Sequence, residues 1–209
     1  MKRPDSAEAH LYYWIILPLS FVCMPTPPIR YLLAALPPEA LTEQIWTYKR
    51  HVAEQYGSLR GMRVLPHITY IPPFMIQEHS VNLVEKDLGK LIGTFHSEDI
   101  RLEGFGHFTG KKSHVIYLAV EKTELMQQQY TELMAYALKN LLLPDSQIRP
   151  FFTPHLTIAY RDLSEEKFQQ AWPYFKDRPF SETMPLNHLW LLKHEGKSWE
   201  PMTRFDFRR

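Results

Sequence analysis

Two short segments of the chain repeat one another: Pro66-His67-Ile68-Thr69-Tyr70-Ile71 and Pro154-His155-Leu156-Thr157-Ile158-Ala159. A bare His-x-Thr is common by chance, and a third copy, His107-Phe108-Thr109, occurs in this chain. Requiring proline before the histidine and an aliphatic residue before the threonine lowers the chance expectation to about 0.01 per chain. The pair therefore points to two similar halves. Each segment is β-branched and short, the pattern of a strand. Side chains alternate across a strand, so His67 and Thr69 share one face, as do His155 and Thr157, while Ile68, Tyr70, Leu156 and Ile158 point the other way. Two such strands meeting across a cleft present two imidazoles, each beside a hydroxyl.

The rest of the chain supplies elements around these strands. Tyr31 to Leu36 reads as a buried strand bounded by prolines, and Pro37-Pro38-Glu39 opens a helix whose apolar positions are Leu41, Ile45, Tyr48 and Val52. Val64 to Ile71 reads as a strand stopped by Pro72-Pro73, and Val81 to Phe95 as a second helix. Ile100–Phe108 and His114–Val120 form an expected hairpin. Thr123 to Leu142 is a third helix, Phe151 to Tyr160 a strand, and Ser164 caps a fourth helix with acidic residues in its first turn. Leu186–Leu192 and Met202–Phe207 close the chain as strands. The expected order is β-α-β-α-β-β-α-β-α-β-β.

Charge and composition narrow the function. Lys plus Arg at 24 against Asp plus Glu at 23 leaves a net charge of +1, so no global field draws the chain to duplex DNA or to an anionic membrane. Seventeen prolines against eight glycines disfavour glycine-loop nucleotide folds. The lone Cys23 forms no intramolecular disulfide, which favours a reducing, cytoplasmic setting. There is no Gly-x-Ser-x-Gly elbow or cysteine nucleophile. His188, His194 and Glu195 lack a metal-ligand spacing. Neither a metal nor a cofactor is expected. Histidine, with an ordinary pKa near 6.5, can take a proton from an attacking oxygen while a second ring gives one to a leaving oxygen. The threonine hydroxyls can hold the nonbridging oxygens of a phosphate.

These segments, PHITYI and PHLTIA, together with the element order from Tyr31 to Phe207, resemble the 2H phosphoesterase superfamily, which includes 2′-5′ RNA ligase-like proteins and cyclic-phosphate phosphodiesterases. The resemblance implies a bilobal α+β fold: two lobes related by a pseudo-twofold, antiparallel sheets lining a central cleft, and helices outside. It implies metal-independent hydrolysis of 2′,3′-cyclic phosphates or related linkages at an RNA end or on a nucleotide. His67 and His155 would be the acid/base pair, and Thr69 and Thr157 the phosphate ligands. Which histidine is the base stays open, as do a ligase direction and a binding module without turnover. RNA-acting members often show an arginine soon after the second motif; here Tyr160 comes first and Arg161 follows.

Candidate substrate contacts around this centre are Tyr70, His107, Arg149, Phe151, Tyr160 and Arg161. Phe105, Phe108, Phe151 and Phe152 can stack on bases or serve as core. The functional unit is expected to be one bilobal domain over residues 30–209, acting as a monomer. Residues 1–29 read as an amino-terminal extension. Its apolar run, Leu11 to Cys23, is interrupted by Pro18 and is too short for a spanning helix, and Met24 is an alternative start.

Overall fold

The structure, a computed structural model, describes residues 27–141, 143, 147–149 and 151–208; the apolar run and Cys23 lie outside the described residues. Among these residues are eight strands and four helices: β1 Ile29–Ala35, α1 Glu39–Tyr56, β2 Ile68–Ile76, α2 Val81–Ile92, β3 Glu98–Phe108, β4 Val115–Val120, α3 Glu124–Asn140, β5 His155–Ala159, α4 Glu165–Lys176, β6 Ser181–Leu186, β7 His188–His194 and β8 Trp199–Asp206. The strands form two antiparallel sheets ordered β2-β1-β7-β8 and β5-β4-β3-β6. The architecture is α+β, with two lobes and helices outside, as expected.

Several strand boundaries differ from the expected ones, β2, β5 and β8 starting at Ile68, His155 and Trp199, and two further differences shape the sheets. The prolines do not end β2: the strand runs on to Ile76, and its pairing with β1 skips at Tyr31/Leu33 and Leu33/Ala34. β2 is an edge strand, and the absent proline N–H groups are tolerated at an edge and at bulges. At the other end, the expected strand Leu186–Leu192 is β7, and β6 before it is a strand that the sequence reading lacks. β6 ends at Leu186 beside β3, β7 starts at His188 beside β1, and Asn187 alone carries the chain from one sheet to the other.

The helices follow a repeating rule. In β1-α1-β2-α2 the first helix leaves its own sheet and packs on β5 and α4, whereas the second stays on β7 and β8. In β4-α3-β5-α4 the first helix packs on β2 and the second on β3. Each lobe thus covers part of its sheet with a helix from the other. Aromatic contacts seal the exchange: Tyr48 of α1 meets Phe105 of β3 edge-on at 5.0 Å, and Tyr130 of α3 stacks on Phe152, which lies 4.9 Å from Tyr70 of β2. One cluster of buried side chains runs from Leu33 and Ile68 to Leu118 and Leu156.

The helix ends follow local chemistry. Thr123 and Ser164 cap α3 and α4 by accepting from the N–H groups of Met126 and Lys167. Gly57 ends α1 at φ +65°, a left-handed conformation that glycine enters without a Cβ penalty. Among the described residues no helix is long and apolar enough to cross a membrane.

Candidate active site

β2 and β5 are the inner edges of their sheets and touch one another. The alternation expected along them holds. Ile68, Tyr70, Leu156 and Ile158 are buried, while His67, Thr69, His155 and Thr157 are half-buried on the opposite face. A cleft of about 1410 Å³ opens there, lined by His67, Thr69 and Thr157. His155 stands two residues from Thr157 on the same face of β5.

The two rings are held alike. His67 Nδ1 lies 2.7 Å from the carbonyl of Leu65, and His155 Nδ1 lies 2.8 Å from that of Thr153. A carbonyl only accepts, so each Nδ1 carries the proton and donates it. Each Nε2 is thereby left to exchange protons. Burial pushes the pKa of His67 down to about 4; the bond to Leu65 opposes this, and the charges of Lys49 and His155 add to the lowering. Burial also lowers His155, against its bond to Thr153. With no anion beside them, both rings are therefore neutral at neutral pH.

Around the rings the cleft is basic. Arg30, Arg60, Arg63, Arg161 and Lys197 line it, and Glu200 is an acidic member. No carboxylate among the described residues pairs with these five cations. The segment carrying Arg60 is pinned to the other lobe. Asp162 accepts from the Ser58 hydroxyl at 2.6 Å and from the N–H groups of Leu59 and Arg60 at 2.8 and 3.0 Å. Burial pushes this carboxyl up, but those bonds together hold it below its ordinary pKa. Gly61 completes the junction, because a Cβ there would sit 2.2 Å from the carbonyl oxygen of Ile158. Arg161, between the second motif and Asp162, adopts φ +66°, costly for a side-chain-bearing residue.

Tyr160 and Arg161 do line the cleft, with the guanidinium over the tyrosine ring at 5.3 Å. The other candidate contacts lie elsewhere. Tyr70 is wholly buried on the core face, its hydroxyl 3.4 Å from Gln129, because strand alternation turns it away from Thr69. His107 packs edge-on against Trp172 at 4.7 Å and against Phe168 of α4. Phe151 is 74% exposed and absent from the lining, and Arg149 points back to the carbonyl of Ile148. Phe152 is core, whereas Phe108 and Tyr117 box the His155 ring at 5.0 and 5.2 Å. Gly106 makes room for that box: a Cβ would lie 2.5 Å from the Tyr117 ring.

Sequence reasoning missed Lys49, 1% exposed on α1, whose ammonium donates to the carbonyls of Val64 at 2.6 Å and Gly61 at 3.2 Å. Its signal was present: a lysine at the fourth position after Ile45, inside the stripe Leu41, Ile45, Val52. Among the described residues no cluster of three His, Cys, Asp or Glu side chains has metal-binding geometry.

An α+β fold of this topology, with paired His/Thr strands at its centre, is that of the 2H phosphoesterases. Two solved structures share it: one titled a phosphoesterase (TM-score 0.63, 19% identity, 87% of this chain and 99% of that one) and E. coli LigT complexed with 3′-AMP (TM-score 0.61, 20% identity, 87% and 99%). The model of the 2′-5′ RNA ligase superfamily matches residues 37–198, and the chain belongs to that family. Relatives include proteins named "putative phosphoesterase" from Staphylococcus epidermidis (23% identity over 83% of this chain and 96% of the relative) and Geobacillus kaustophilus (26% over 82% and 92%).

Proposed function

We propose that this protein hydrolyses a 2′,3′-cyclic phosphate, or a related phosphodiester, of an RNA end or nucleotide by proton transfer between His67 and His155. The observation that carries this reading is the matched pair of Nδ1 bonds, which leaves both Nε2 atoms to handle protons, with His67, Thr69 and Thr157 lining the cleft and His155 two residues from Thr157 on the same strand face. One Nε2 takes a proton as water attacks phosphorus. The other, protonated, gives its proton to the ribose oxygen as the P–O bond to it breaks. The product is a phosphomonoester with a free hydroxyl, and exchange with solvent restores the rings. Thr69 and Thr157 donate to the nonbridging oxygens where charge gathers, and Arg161 adds a fixed positive charge.

The proton for the acidic ring comes with the substrate. A phosphodiester anion between two neutral imidazoles raises their proton affinity, and a low-dielectric cleft strengthens that effect. Fold neighbours support a nucleotide-sized ligand, since E. coli LigT has been crystallised with 3′-AMP, phosphate, NADP+ and ATP. The test is turnover of a 2′,3′-cyclic phosphate, as a mononucleotide and on a short RNA end, in chelator, by wild type, His67→Ala and His155→Ala. Turnover that collapses in both variants supports the proposal. Binding without turnover by wild type makes the protein a binding module, and joining of RNA ends makes it a ligase.

A further inference from the structure

The first helix of each repeat holds the strand entry of its own half, and the two helices use different chemistry to do it. In the second half, Gln127 of α3 accepts from the N–H of Phe152, three residues before His155, at 3.2 Å. In the first half, Lys49 of α1 donates to the carbonyl of Val64, three residues before His67, at 2.6 Å. Both helices thus hold the strand entry that delivers a histidine. The two bonds run in opposite senses, since Gln127 holds its strand entry as a neutral acceptor and Lys49 holds its own as a charged donor. A charged one is expensive, because a buried ammonium loses its hydration and no carboxylate among the described residues repays the loss. Its partners are two carbonyls and the face of Trp46, 5.0 Å away. Val64, Trp46 and His67 line the cleft together.

We propose that Lys49 is a positioning residue of this site, whose ammonium fixes the turn that delivers His67 and places a buried positive charge behind that ring. The inference rests on the two-histidine reading for its effect on turnover, though not for its effect on the ring itself. The charges that act on His67 are Lys49 from α1 and, when protonated, His155 from β5, both of one sign; Arg60, Arg63, Arg161 and the acidic Glu200 line the same cleft. Asp162, a nearby carboxylate, is engaged with Ser58, Leu59 and Arg60. With Lys49 in place the ring resists protonation until an anion arrives, so the proton and the phosphate enter together. The direction agrees with the Lys49 contribution that lowers His67, and burial alone brings the lysine itself down to about 7.

Two variants separate tether from charge. Lys49→Gln keeps an uncharged N–H donor for the Val64 carbonyl, and Lys49→Met removes donor and charge. NMR titration of the His67 ring is the primary readout, since it needs no substrate. The expected result is an upward shift of the His67 pKa by about one unit in both variants, with a matching shift of the acid limb of kcat/KM, so that activity at pH 6 changes little and the loss approaches about tenfold only below pH 4. A tether alone predicts that Lys49→Gln restores activity and that the His67 titration stays where wild type has it; that result overturns the proposal. Wild type provides a further check independent of variant folding. Its His67 titrates well below 6.5, and a value at or above 6.5 overturns the proposal. Absence of turnover by wild type on every phosphodiester removes the hydrolase reading, and the titration alone then decides the role of Lys49.

Discussion

The half that carries His67 and the half that carries His155 agree in what would touch a phosphate and disagree in what lies behind it. Both present an imidazole and a hydroxyl on alternate positions of an inner edge strand, with Nδ1 tied to the carbonyl two residues upstream. Behind His67 stands a buried lysine; around His155 stands an aromatic box of Phe108 and Tyr117. β2 has nine residues and carries its two prolines through bulges, whereas β5 has five and gives way to a left-handed arginine. The shared layer fixes where atoms go. The unshared layer sets the proton affinity of each ring, so a duplicated site can divide acid and base work between chemically identical side chains.

Removing one ring at a time tests the shared layer first. His67→Ala and His155→Ala are each expected to lower kcat by about 10³-fold, measured on a cyclic phosphate; a loss confined to one variant breaks the equivalence. Thr69→Val and Thr157→Val come next, at about 10²-fold each if both hydroxyls serve the same charge, and unequal losses show which half holds the developing oxyanion. The junction between halves is probed by Gly61→Ala. The added methyl meets the Ile158 carbonyl, and a drop of about 2 kcal/mol in unfolding free energy is expected by denaturant titration.

The smallest effect separates the unshared layers. Folded His67 protonates near 4, and an unfolded ring near 6.5. Between these values the unfolded chain binds the extra proton, so the stability is complete above 6.5 and is lost as pH falls toward 4. His67→Gln should therefore lose about 1 to 2 kcal/mol less than wild type over that window, in unfolding experiments at each pH. His155→Gln should show the same sign, because burial lowers that ring too. A wild type equally stable at pH 4.5 and 6.5 contradicts the buried, neutral pair.

Legibility in the sequence follows range. Pro-His-aliphatic-Thr is a local pattern, so strand, face and candidate chemistry can all be read from adjacent residues. Helix periodicity locates α1 through α3 for the same reason, and a serine cap with an acidic first turn locates α4. β6 cannot be read, since Ser181–Leu186 buries only Met184 and Leu186 and carries Pro185, so it offers no apolar run of its own. The sequence ends β2 at Pro72-Pro73 because proline breaks a central strand, and only the sheet order shows it to be an edge. His107 and Phe151 suit a rim by residue type, yet α4 claims the first and the cleft does not reach the second. The position of Lys49 in the apolar stripe of α1 can be read, but its partners, Gly61 and Val64, cannot, because they come from a turn whose place against α1 depends on tertiary packing.

The passage of the chain from one sheet to the other at Asn187 has a bearing on synthesis. β1 is among the first described segments to leave the ribosome, and its neighbour opposite β2 is β7, with Tyr31 beside Lys193. The sheet that holds His67 therefore stays a two-stranded ribbon until His188–His194 has been made, while the other sheet needs only β6 to finish. A two-stranded ribbon has little stability of its own. Premature termination anywhere before β7 leaves an apolar edge at β1 without its neighbour, a substrate for quality-control machinery and never a half-active enzyme.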